Sequence, residues 1–116
     1  MRYAIHFTPS PNDPLTHVAA AWLGRDVYSG LSVEPPAVTS LGMQEISYHT
    51  ALPRRYGFHG AIKAPFRLME DVSEASLLRG LMHFAGTHQP FSLPPLEIAK
   101  LGNVYGLVPS WPSETL

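Results

Sequence analysis

Along RYAIHFT, Tyr3, Ile5 and Phe7 alternate with Arg2, Ala4, His6 and Thr8, the two-residue period of a strand with one buried face. PSPND ends that run. Apolar residues then recur at helical spacing in NDPLTHVAAAWLG, at Leu15, Val18, Ala19, Trp22 and Leu23. This predicts a helix with Asn12 as N-cap, Pro14 in its first turn and Gly24 at its stop, with Trp22 in the core. Residues 25–52 lose the period and gain Pro35, Pro36, Gly and Ser, which reads as a long connection with a short helical turn near SLGMQEI. Alternation returns in RYGFHGAIKA. Phe58, Gly60, Ile62 and Ala64 fall on one side and His59, Ala61 and Lys63 on the other. The side with Phe58 and Ile62 is the core candidate, so His59 and Lys63 are expected to share the open face.

Ser73 predicts the cap of a second helix running to about residue 88, with Glu74 in its first turn and Leu78, Leu81, Met82 and Ala85 as its stripe. FSLPPLEIAKLGN and VYGLVPS predict two strands meeting at Gly102 and Asn103, the first kept to an edge or bulged by Pro94 and Pro95. The order β, α, loop, β, α, β, β predicts an α+β lobe. Its expected form is a small, mostly antiparallel four-stranded sheet with two helices on one face. The other face, with His59 and Lys63, is left to solvent, a cleft or an interface.

Composition narrows the chemistry. A chain of 116 residues and 12.8 kDa suits one domain over 1–116. Cysteine is absent, which removes a disulfide framework, a thiolate nucleophile and a cysteine-bound metal; with no signal peptide visible, the expected compartment is the cytoplasm. No apolar run approaches the roughly 20 residues that cross a bilayer, so no membrane partner is expected. A net charge of -1 gives no overall field to hold duplex DNA. Local charge differs. No Asp or Glu lies between Glu45 and Glu70, yet Arg54, Arg55, Lys63 and Arg67 do, half of the eight cations. This favours a small anionic ligand over a long polyanion, against the plainer reading of a solvated basic face.

A histidine among cations on an uncovered sheet face fits proton transfer on a phosphate ester. Arg and Lys hold the anion, and imidazole titrates near neutrality as acid or base. His59 is the first candidate, weighed against an exposed strand histidine without a task. His6 is the second: residues two apart on a strand share a face, so His6 and Thr8 can address one oxyanion. His17, His49, His83 and His88 lack metal-ligand spacing, and His83 and His88, five apart on a helix, do not share a face. No metal or other cofactor is expected. LGRDVYSG lacks the glycine spacing and Lys-Ser/Thr ending of a phosphate loop, and no serine sits in a Gly-x-Ser-x-Gly elbow.

YGFHGAIKAPFRL, together with RYAIHFTP and AAAWLGRD, resembles a bacterial family often encoded with phosphonate-utilisation genes, within the two-histidine (2H) phosphoesterase superfamily. The resemblance spans nearly the whole chain. It implies two lobes that each offer a His-x-Thr/Ser strand to a cleft, where the histidines act as acid and base on a 2′,3′-cyclic or related phosphodiester without a metal. By position His59 matches the first motif histidine and Lys63 a lysine usual in the family. Ala61 stands where a phosphate-binding hydroxyl is expected, and the second motif, which lies in a C-terminal lobe of the family, is not found. The expected ligand is a small phosphate ester, held by Lys63, Arg54 or Arg55, with Thr8 and Tyr56 completing the contacting set. Several arrangements could supply the missing half: a second lobe beyond this chain, a homodimer through the uncovered sheet face, or His6 as the second histidine. The reading from another class is a non-catalytic phosphate-ligand-binding or assembly module.

Overall fold

The computed structural model describes residues 1–115. The chain divides into two compact units, the first Met1–Met69 and the second beginning at Glu70. The first holds β1 (Tyr3–Phe7), α1 (Pro14–Leu23), α2 (Met43–His49), α3 (Ala51–Tyr56) and β2 (Gly60–Phe66). The second holds α4 (Glu74–Thr87), β3 (Leu96–Leu101) and β4 (Val104–Pro109). The α+β class and the antiparallel pairing are as the pattern predicts. The strands are divided between two two-stranded sheets, β1–β2 and β3–β4, rather than joined in one sheet of four.

In the first unit, α1 is capped by Asp13 rather than Asn12: the Asp13 carboxylate accepts from the Leu15 amide at 2.8 Å, and Pro14 follows in the first turn. Gly24 stops the helix at φ 77°, a left-handed conformation that costs glycine little. The buried face of α1 is turned from the expected stripe. It carries Thr16, Ala20 and Leu23, whereas Val18 is 66% and Trp22 43% exposed. Thr16 accepts burial because its hydroxyl donates to the Ser10 carbonyl at 2.8 Å.

The long connection is more ordered than its composition implies. Asp26 accepts from the amides of Tyr28 at 2.7 Å and Ser29 at 2.8 Å, closing a tight loop before Leu31. Further on, α2 and α3 join at Thr50, whose hydroxyl donates to the Ile46 carbonyl at 2.7 Å. Of α2, only Ile46 is buried, so no periodic stripe marks this helix in the sequence. Ala20, Leu23 and Ile46 form the core, with Thr16 and Thr50 as its buried polar members.

In the second unit, Ser73 caps α4 as expected, its hydroxyl accepting from the Ser76 amide at 3.2 Å. The predicted stripe is not buried: Leu78 and Met82 are exposed. β3 and β4 pair without a bulge from Leu96↔Pro109 to Leu101↔Val104. The loop between them has φ 61° at Gly102 and no positive φ at Asn103, which is the pattern of a type II′ turn. Pro94 and Pro95 precede β3 and so take no amide from its ladder.

Candidate functional site

β2 begins only at Gly60, because Arg54, Arg55 and Tyr56 belong to the last turn of α3. Gly57 ends that helix, and the chain then turns through Phe58 and His59 into the strand. β1 and β2 run antiparallel, with His6 opposite Ala61 and Phe7 opposite Gly60. On such a ladder the residue diagonal to His6, two positions before Ala61, is His59, within reach of an aromatic ring. The two imidazoles stack, with centroids 4.0 Å apart and planes 16° from parallel. The ladder ends at the Phe7–Gly60 pair, so Thr8 and His59 lie just beyond it. His6, His59 and Ala61 thus come together at one face.

Lys63 does not join them. The register passes from His6↔Ala61 to Ile5↔Lys63, so one residue is extra on β2 between the two pairs. This bulge breaks the alternation from which a common face for His59 and Lys63 was expected. Lys63 goes with Ile5, whose side chain alternates away from His6. A second shift, between Ile5↔Lys63 and Tyr3↔Phe66, leaves the rings of Tyr3 and Phe66 6.3 Å apart.

His59 is half-buried and tethered, its Nδ1 lying 2.9 Å from the Gly57 carbonyl oxygen. A carbonyl only accepts, so the proton of this bond is on Nδ1 and Nε2 is the free nitrogen. His6 is exposed. Two rings in face-to-face contact can address one tetrahedral oxyanion from their edges.

The candidate cations separate into distinct roles. Arg54 donates from Nε to the Leu23 carbonyl at 2.6 Å, and from Nη2 to Thr50 Oγ1 at 2.6 Å and the Ser47 carbonyl at 2.9 Å. Its fork ties the end of α1 to α2 and α3. Arg55 and Tyr56 are exposed, and Arg55 lies four residues before His59. Thr8 is half-buried and lines a cavity of about 10 Å³ with Thr16, Arg25 and Phe58 among others, room for roughly one water. Arg25 was not singled out by sequence, because it lies far from the basic run; its Nη1 is 3.5 Å from the Arg54 and Arg55 carbonyls. Among the described residues, no three His, Cys, Asp or Glu side chains converge, and no helix is long and apolar enough to cross a membrane.

The chain is similar to two curated proteins named "Ribose 1,5-bisphosphate phosphokinase PhnN". One, from Janthinobacterium sp. (strain Marseille), is 32% identical over 99% of this chain and 25% of its own length. The other, from Laribacter hongkongensis (strain HLHK9), is 34% identical over 80% of this chain and 22% of its own length. The chain therefore spans about a quarter of the curated relatives it matches. A family described as "Protein of unknown function (DUF1045)" matches residues 61–116. No solved structure gives a significant match.

Proposed function

We propose that the His6–His59 face is a phosphate-ester site at which the two imidazoles act as general base and general acid on a cyclic phosphate or phosphodiester. The observation that carries this reading is the 4.0 Å stack of His6 on His59, which brings together the two histidines singled out by sequence. In the proposed reaction a water oxygen attacks phosphorus and its proton passes to the base. The P–O ester bond breaks, the acid gives its proton to the departing alkoxide, and a phosphomonoester remains. Histidine supplies both protons' places, so the step needs no metal. Arg55, with Thr8 and Tyr56, is the proposed anion-holding group. Lys63 and Arg54 are left outside it by the bulge and by the carbonyls that Arg54 binds.

Two comparisons support phosphorylated small molecules as the ligand class. The curated relatives are named for a phosphorylated pentose, and the 2H resemblance belongs to a family encoded with phosphonate-utilisation genes. We place the protein in phosphonate metabolism on that basis. Kinase activity is not carried over, because this chain, which spans about a quarter of those relatives, carries no glycine-rich phosphate-loop motif. His6 also supplies a second imidazole within one chain, which leaves catalysis without need of a homodimer.

The test is hydrolysis of a 2′,3′-cyclic nucleotide without added metal, in the wild type, His59→Ala and His6→Phe. Loss of turnover by two orders of magnitude or more in each variant is expected for acid and base partners. Turnover unchanged in His59→Ala sinks the reading. Phosphate binding without turnover favours the second reading, a phosphate-binding module. That alternative draws on Ala61, which puts a methyl group opposite His6 where the resembled family has a hydroxyl.

A further inference from the structure

We infer that Gly57 is a positioning residue that fixes the reactive nitrogen of His59. This rests on the proposed acid/base role of His59 for its consequence, though not for its geometry. Gly57 is held from both ends. Its amide donates to the Pro53 carbonyl at 2.8 Å, closing the last turn of α3, and its own carbonyl receives His59 Nδ1 at 2.9 Å. Between them its backbone lies at φ 76°, ψ 177°, a region open essentially to glycine alone. A Cβ at this position would also stand 2.7 Å from Val27 Cγ2, a distance at which something must shift.

These facts act together. The glycine conformation turns the carbonyl back toward the residue two positions on, and Val27 occupies the space that a side chain would need. The carbonyl then selects the Nδ1–H tautomer of neutral His59, leaving Nε2 as the lone-pair nitrogen that takes or returns a proton. An imidazole without such a partner carries its proton mainly on Nε2. Without this carbonyl, the base would present N–H, not a lone pair, at its outer edge. Gly57 thereby sets the chemistry of His59 without touching the ligand.

The experiment reads the tautomer directly, in unliganded protein, from the ¹⁵N resonances of His59 above its titration. The wild type is expected to carry the proton on Nδ1; a proton predominantly on Nε2 overturns the inference. Gly57→Ala, folded as judged by cross-strand contacts of β1 and β2, is expected to shift the population toward Nε2–H. A folded variant that keeps Nδ1–H overturns it as well. Should that variant fail to fold, a second arm leaves the glycine in place: His59→Ala is expected to move the Gly57 carbonyl ¹³C resonance upfield, and no movement overturns the proposed bond. Failure of the phosphoesterase reading is distinct, appearing as an Nδ1–H tautomer in a protein that hydrolyses nothing.

Discussion

Arg54 and Arg55 are neighbours with the same charge, and the fold gives them opposite work. Arg54 Nε and Nη2 meet the Leu23 carbonyl and the nearly inaccessible Thr50 hydroxyl, each at 2.6 Å. Replacing it with methionine should lower stability by about 2–3 kcal/mol, since each bond from a charged donor is worth about 1.5–3 kcal/mol and Thr50 loses a buried partner. Arg54→Lys should recover little of this, because an ammonium cannot reproduce the guanidinium fork. Urea denaturation checks both. Arg55→Ala should leave stability within about 0.5 kcal/mol and weaken phosphate binding instead. In the sequence the two are interchangeable members of one basic run, because charge spacing carries no information about which guanidinium meets carbonyls 31 residues away. Asp26 gives a second prediction at this scale. The Ser29 and then the Tyr28 amide hold its carboxyl below the ordinary aspartate range. A lowered folded value means that its contribution is complete above the unfolded value of about 3.9 and is lost as pH falls through the folded one. The Tyr28 and Ser29 amide shifts should therefore titrate with a midpoint below that of a free aspartate, and Asp26→Asn should abolish the titration.

The β1–β2 pair shows what a single extra residue does to an element. Tyr3 and Ile5 are the less exposed residues of β1, but Phe7, expected on the same buried face, is 62% exposed. On β2 the same rule, read without interruption, put Lys63 beside His59. A period of two has no marker for an inserted residue, and nothing in GAIKA announces the bulge between Ala61 and Lys63. Diagonal placement of His6 and His59 was likewise invisible, since it depends on register across strands separated by three helices. What was legible was the strand itself. The register makes two contrasting predictions. Ala61→Thr restores a hydroxyl opposite His6 and should strengthen phosphate binding about fivefold, the worth of roughly 1 kcal/mol for one hydrogen bond. Lys63→Met lies on the Ile5 side and should change that affinity by less than about twofold. Isothermal titration with inorganic phosphate measures both; a large loss from Lys63→Met would mean that the two strands pair in the uninterrupted register.

At the scale of the whole chain, 45% of residues are apolar, yet among the described residues the buried apolar set is Ala20, Leu23 and Ile46. All three belong to the first unit, and no described residue of α4 is buried. Stability follows the area removed from water, and a two-stranded sheet is marginal by itself. Folding cooperativity should accordingly be weak and uneven along the chain. Amides of α1 and those around Ile46 and Thr50 should exchange most slowly, because their hydrogen bonds surround the small core; amides of β3 and β4 should exchange fastest, close to the limit for locally opening structure. The urea m-value measures the same property independently, since it scales with the surface exposed on unfolding. It should fall near or below about 1 kcal/mol/M, the lower end of the range for small proteins. A value near 2 with uniform amide protection would show that this chain buries far more apolar surface in solution than the area around Ala20, Leu23 and Ile46.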